Sequence, residues 1–247
     1  MSDTTLPVVH GAAPLYREVK RRLMEALAGG EWKPGEAIPA ERRLSERFGI
    51  SIGTVRKAID ELCAENILIR QQGRGTFVAS HNRDRMLFYF FHVVPEDGPK
   101  AYPDVELLAF GRGKADRAAA ERLAIDVGDG VVRFRNRLRI AGMAIMVDDI
   151  TLAAARFAGL TERQLRSRPS TLYNLYQDSF GISVVRTRER LRAVAADADI
   201  GPLLDIATGT PLLQIRRVAC GYHDEPVEYR VSHLSTAHHE YYAEIGT

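Results

Sequence analysis

Three groups of side chains in this 247-residue chain carry chemistry by their types and spacing. The first is Ser51, Thr54, Arg56 and Lys57: short hydroxyls followed within a turn by positive charge. Hydroxyls and free N–H groups at a helix start favour an anion, and a planar guanidinium fork suits a phosphate or a guanine edge. The second is Arg70 and Arg74, which flank the glycine-containing tip Gln71-Gln72-Gly73. The third is two rows of alternating arginines, Arg133, Arg135, Arg137 and Arg139, then Arg186, Arg188, Arg190 and Arg192. No nucleophile–base pair is visible. His233, His238 and His239 match no metal-ligand spacing, so they read as surface histidines and no cofactor is expected. Anion binding is the chemistry on offer.

The first two groups need a frame, and residues 39–79 supply it. Leu44 and Phe48 lie four apart on one helical face. Gly49 is a helix stop and Ser51 an N-cap for the next helix. That helix buries Val55, Ile59 and Leu62 and presents Gly53, Arg56, Lys57 and Asp60 on its other side. Two helices joined by a tight turn, the second opening on small polar residues, read as a helix-turn-helix whose second helix meets base edges in the major groove. Ile67–Ile69 and Thr76–Val78 read as a hairpin, a basic wing suited to phosphate backbone or the minor groove. Upstream, Pro14 opens a helix with Leu15, Val19, Leu23 and Leu27 as its stripe, Gly29-Gly30 ends it, and Trp32 is a core residue. Residues 1–13 lack periodicity and read as a disordered tail.

Length allows one large or two ordinary domains. An apolar content of 45% with 27% charged residues describes a globular chain able to fold unaided. Residues 1–80 carry 12 basic against 10 acidic side chains and residues 81–247 carry 22 of each, so net charge decides nothing about nucleic acid. Only the grouping of the basic residues speaks for it. Two isolated cysteines, Cys63 and Cys220, read as reduced thiols. No apolar run approaches a membrane span and no leader is visible, so a cytoplasmic chain without membrane contact is expected.

The arginine rows belong to a different architecture. Residues 80–85 are polar and read as a linker, and the composition changes after them. Met86–Val94 is an apolar and aromatic run long enough for a buried strand, with His92 packed inside it. Val105–Phe110 reads as a strand, and a helix opens at Asp116. Val131–Ile140 alternates, with Val132, Phe134, Leu138 and Ile140 on one side and the four arginines on the other. Ala141-Gly142 turns the chain into a second strand, Ala144–Leu152. Thr171–Phe180 is helical, and Val184–Val194 carries the second arginine row. Leu123-x-Ile125-x-x-Gly128-x-x-Val131-Val132-x-Phe134 is echoed by Leu204-x-Ile206-x-x-Gly209-x-x-Leu212-Leu213-x-Ile215, each followed by a hairpin return. Such a duplicated helix-plus-hairpin unit indicates an α+β domain with an antiparallel sheet.

Pro14-Leu15-Tyr16, Pro34-Gly35, Pro39-Ala40-Glu41-Arg42, Phe48-Gly49-Ile50-Ser51, Thr54-Val55-Arg56, Glu61-Leu62 and Gly73-Arg74-Gly75-Thr76-Phe77-Val78 resemble, in order and spacing, the winged helix of GntR-family regulators. The resemblance covers residues 14–79. Residues 86–247 resemble the UTRA effector domain of the HutC subfamily through Arg137-Leu138-Arg139, Asp148-Asp149, Thr171-Leu172-Tyr173, Gly209-Thr210-Pro211-Leu212-Leu213 and Glu225-Pro226-Val227-Glu228-Tyr229. It implies a chorismate-lyase-like fold, a small-molecule site, a homodimer and a cytoplasmic repressor of transcription acting on double-stranded operator DNA.

It also implies DNA contacts at Arg42, Ser51, Thr54, Arg56 and the wing at Gly73 and Arg74. Ile52 and Gly53 stand where relatives often carry polar or basic side chains, and Ile52 suits a thymine methyl. An anionic metabolite is implied at Arg137, Arg139, Asp148, Thr171, Tyr173 and Glu228. Asp148 and Glu228 would read its hydroxyl or amine groups. The bland reading of the eight arginines is a solvated face interleaved with carboxylates such as Glu189. After Glu228-Tyr229 the chain departs from the family's Tyr-Arg-x-Asp-x-Tyr pattern, which argues against a phosphosugar. The alternative function is a chorismate-lyase-like enzyme domain fused to a DNA-binding module.

Overall fold

The computed structural model describes residues 14–82, 84 and 86–243. The expected tail at residues 1–13 lies outside the described residues, as do Arg83 and Arg85 of the linker. The chain divides into two compact units between Ser80 and His81.

In the first unit, α1 (Leu15–Ala28), α2 (Glu41–Phe48) and α3 (Ile52–Ala64) precede a hairpin of β1 (Leu68–Gln71) and β2 (Gly75–Val78). α1 packs on α3 through Val19, Leu23 and Leu27, whereas Leu15 is 47% exposed, so the buried stripe begins one turn later than the spacing predicts. Gly49 takes φ +67° and its N–H returns to Ser45 O, a left-handed stop that a side chain would strain. Ser51 caps α3 by accepting from the Thr54 N–H at 3.2 Å. Burial of Val55, Ile59 and Leu62 then fixes the helix, each side chain contributing about 1.5–3 kcal/mol.

In the second unit six strands form one antiparallel sheet in the order β4 (Asp104–Lys114), β5 (Gly130–Ile140), β6 (Met143–Ala153), β9 (Pro226–Leu234), β8 (Pro211–Cys220), β7 (Arg186–Ala195). The internal repeat is realised in space as two β-α-β-β halves, with α4 (Arg117–Leu123) in one and α7 (Ile200–Leu203) in the other. Gly128 (φ +91°) and Gly209 (φ +90°) make the same turn, donating to Ala115 O at 2.9 Å and Ala196 O at 2.8 Å. Asp116 and Asp197 start the two helices by accepting from the N–H groups of Ala119 and Ile200. The halves join where β6 pairs with β9.

Alternation gives the sheet two faces. On one, Val132, Phe134, Ile150 and Leu152 pack under α5 (Glu162–Arg166) and α6 (Leu172–Phe180) with Leu165, Tyr173 and Tyr176. On the other, Val147, Ala144 and Leu212 pack against α7, and Val131 against α4.

Met86–Val94 is not one strand. Met86–Phe90 forms a π-helical turn, with the Phe91 N–H on Met86 O at 2.9 Å, and β3 is confined to Val93–Pro95, paired with β10 (His239–Tyr241). The run is apolar throughout, so it has no period to distinguish strand from coil. The packing decides, burying Met86, Phe90 and Phe91 and leaving Tyr89 48% exposed.

Candidate nucleic-acid interface and candidate ligand site

The start of α3, the start of α2 and the wing enclose a groove of about 800 Å³ lined by Glu41, Arg42, Ile52, Arg56, Arg70 and Gly73 among others. Ser51 and Thr54 sit at its helix end, their hydroxyls 2.9 Å apart. Ile52 is 42% exposed, and a Cβ at Gly53 would meet only the Ser51 hydroxyl, at 3.9 Å, so backbone and one apolar side chain face outward here. Arg42 extends into solvent and pairs with Glu46 at 3.2 Å. Arg74 lies over the Phe77 ring, and Gly73 turns the wing tip at φ +71°.

Glu41 organises this surface, a role the sequence did not suggest beyond its place in a motif. Its Oε2 accepts from Arg56 at 2.8 Å and its Oε1 from Arg70 at 2.9 Å, and Arg70 also reaches Asp60 at 2.6 Å. One carboxylate therefore ties the reading helix to the wing. The Glu41 hydrogen bond raises the Arg56 pKa further, so its charge is permanent.

The six effector residues implied by the resemblance fall on two faces of the sheet. Arg137 pairs with Val147 across β5–β6 on the α7 side, and it donates to Glu106 at 3.0 and 2.8 Å. Arg139 donates to Gly142 O at 2.9 Å, with Asp205 3.9 Å away. Most of the first row is interleaved with carboxylates: Arg133 meets Asp116, and Arg135 meets Asp149 and Asp199. In the second row Arg188 and Arg190, with Arg216, Arg122, Val218 and Tyr229, border a groove of about 240 Å³.

Asp148, Tyr173 and Glu228 lie on the opposite, α6-covered face, each at most 1% exposed. What gathers them is Arg230, which the sequence reading missed. Its Nε donates to Glu228 at 2.9 Å and its Nη1 to Asp148 at 3.0 Å. Ser232 donates to the other Asp148 oxygen at 2.5 Å, and Tyr176 donates to Glu228 at 2.7 Å. The carboxylates that were to read a ligand are thus engaged within the protein. Burial, reinforced by Glu228, pushes the Tyr173 hydroxyl up to about 12, so it stays a donor. Thr171 is the N-cap of α6, accepting from the Asn174 N–H at 3.0 Å. The signal for Arg230 was the period-two run Glu228, Arg230, Ser232 on one strand face.

Asn136, Asp148 and Ser232 form a row across β5, β6 and β9. Beside it Met86, Phe91, Leu138, Leu172, Arg168 and Arg230 wall a cavity of about 30 Å³. Burial lowers the Arg168 pKa, and no carboxylate partners it among the described residues.

A two-helix reader with a basic wing, followed by a sheet that buries a polar cluster beside a cavity, defines a winged-helix regulator with a sensory domain. The bacterial regulatory protein gntR family matches residues 15–78 and the UTRA domain family residues 100–240. The chain belongs to the GntR family of regulators with a UTRA effector domain, close to the HutC-like repressors, and these are DNA-binding proteins rather than catalysts. It is 27% identical over 213 residues to the histidine utilization repressor of Pseudomonas aeruginosa, covering 83% of this chain and 81% of that one. The ligand-binding domain of a GntR-family regulator from Bordetella bronchiseptica is 34% identical, with a TM-score of 0.63 over 64% of this chain and 99% of that one. PhnF from Mycobacterium smegmatis is 25% identical, with a TM-score of 0.53 over 92% and 98% of the two chains. Among the described residues no helix is long and apolar enough to cross a membrane.

Proposed function

We propose that this protein is a repressor that binds a palindromic operator as a homodimer, and that a small anionic metabolite in the second unit lowers its operator affinity. The observation that carries the reading is the groove between α3 and the wing, where Glu41 holds Arg56 and Arg70 on one surface. Arg56 would read a guanine edge or clamp a phosphate, Ser51 and Thr54 would meet phosphate at the helix start, Arg42 and Arg74 would hold backbone, and Ile52 and Gly53 would approach the base edges. In a dimer the two reading helices would fall about 34 Å apart or a multiple of it. Arg137 and Arg139 are proposed on the carboxylate-laced face as a surface anion contact, and Asp148, Tyr173, Thr171 and Glu228 as the buried wall of the metabolite site.

The test is a gel shift with the DNA upstream of the protein's own gene. Arg56→Ala should weaken specific binding by roughly five- to 150-fold while leaving the fold intact. Unchanged affinity in a folded Arg56→Ala protein refutes the role.

A further inference from the structure

Asp148, Glu228 and Arg230 use up most of one another's hydrogen-bonding capacity, and what they leave over faces one cavity. Arg230 spends Nε and Nη1 on the two carboxylates, and its Nη2 has no partner. Asn136, in the same polar row, keeps an unpartnered Oδ1. These side chains are 5% and 3% exposed, so neither group has recourse to bulk water. An orphaned buried donor or acceptor costs about 1–3 kcal/mol, and one of each on the same cavity calls for an explanation. Arg168 lines that cavity too, half-buried, with Nη1 donating to Leu165 O and with no carboxylate partner among the described residues. Arg230 is matched by Asp148 and Glu228, so the guanidinium that calls for an anion is that of Arg168.

Asp148 also lines the cavity, its two oxygens already accepting from Arg230 and Ser232, and beyond Tyr102 and Pro103 the rest of the wall is apolar: Met86, Phe91, Val105, Leu138 and Leu172. A phosphosugar would bury several hydroxyls where Asn136 Oδ1 is the unpartnered acceptor and Asp148 is already engaged, so most of them would go unbonded at about 1–3 kcal/mol each. Resting on the effector reading above, we propose that the ligand of this cavity is a small carboxylate with an apolar or aromatic body and one hydrogen-bond donor. The carboxylate lies between Arg230 Nη2 and the Arg168 fork, and the donor meets Asn136 Oδ1. At about 30 Å³ the cavity accommodates only a water or so, so entry displaces a wall. Phe91, Tyr102, Pro103 and Arg168 form the part of the wall that lies outside any helix or strand.

The experiment is titration calorimetry of the full chain with phenylacetate, 4-hydroxyphenylacetate, 4-hydroxyphenylacetamide and glucose 6-phosphate. 4-Hydroxyphenylacetate should bind roughly ten-fold more tightly than phenylacetate or the amide. Asn136→Leu should erase the advantage of the hydroxyl, and Arg168→Met the advantage of acid over amide. Both variants leave the Arg230 ion pairs in place, so neither depends on tolerating an uncompensated buried charge. Preference for glucose 6-phosphate, equal binding of acid and amide, no binding by either carboxylate, or indifference to both substitutions overturns the assignment. An operator gel shift run beside it separates the two readings. Operator release by glucose 6-phosphate but by neither acid removes the carboxylate and leaves the repressor. Absence of operator binding removes the repressor, while the titration still decides the ligand.

Discussion

Arg230→Ala is the substitution that the buried cluster makes most costly. The side chain is 5% exposed and holds Asp148 and Glu228, which are 1% and 0% exposed. Removing it strands two carboxylates in the sheet core, and breaking a buried pair from one side costs about 3–5 kcal/mol. At roughly 2–4 °C per kcal/mol for a unit of this size, the melting temperature of the second unit should fall by about 6–20 °C. Far-UV circular dichroism follows the six-stranded sheet, while fluorescence of the sole tryptophan, Trp32, reports the first unit separately. A triple variant, Arg230→Met with Asp148→Asn and Glu228→Gln, removes the charges together and should recover most of the loss, since a neutral core of similar volume is often no less stable than an ion pair. A fall below about 2 °C in Arg230→Ala, or a triple variant no better than the single one, would show that the cluster is solvated and the reasoning wrong.

Two further outcomes follow from burial and from backbone conformation. His239 is buried and His233 partly so, not on the surface as expected. Burial lowers the pKa values of His92, His233 and His239 from 6.5, so the unfolded chain takes up protons first and stability should decline as pH drops through about 6.5, levelling off below the folded values. Burial opposes the Glu189 carboxylate, but Arg217 and Tyr241 outweigh it and lower its pKa, which adds a second loss as pH falls below 4.5. Urea midpoints measured across this range check both, and a flat profile refutes them. Gly128→Ala and Gly209→Ala should each cost about 1–3 kcal/mol, because φ near +90° strains any side chain although nothing crowds it. Gly111→Ala, with open space and no positive φ, should stay within about 0.5 kcal/mol in the same denaturation assay.

How much of this was legible depended on whether the deciding interaction was local. The stop at Gly49, the cap at Ser51 and the spacing of Val55, Ile59 and Leu62 lie within a few residues of one another, so the reading helix could be placed from the sequence. The two faces of β5 were legible for the same reason, since alternation is a local pattern. It was the resemblance that set Arg137 and Arg139 beside Asp148 and Glu228, and strand register places them on opposite faces. The Asp148–Arg230 contact spans 82 positions: the period-two run Glu228, Arg230, Ser232 marks a polar strand face, but nothing in it says which distant residue that face meets. The aromatic run at Met86 was misread as a strand because its coil is imposed by packing under α6, not by its own sequence.

The strands of the duplicated halves pair where β6 lies against β9, and a buried polar cluster sits on that seam: Asp148 on one side, Glu228, Arg230 and Ser232 on the other. Glu228 and Arg230 pair within β9, but Asp148 finds its cation only in the other half. While the chain folds, Asp148 must stay in water until β9 arrives, so the Asp148–Arg230 contact should be among the last to dehydrate. Its formation should lag the rate-limiting barrier, and loss of Arg230 is then expected to speed unfolding far more than it slows folding, an ordering that unfolding and refolding rates of Arg230→Ala check. The cluster thus acts as a latch on the lifetime of the assembled sheet, with little say in how quickly the sheet is found.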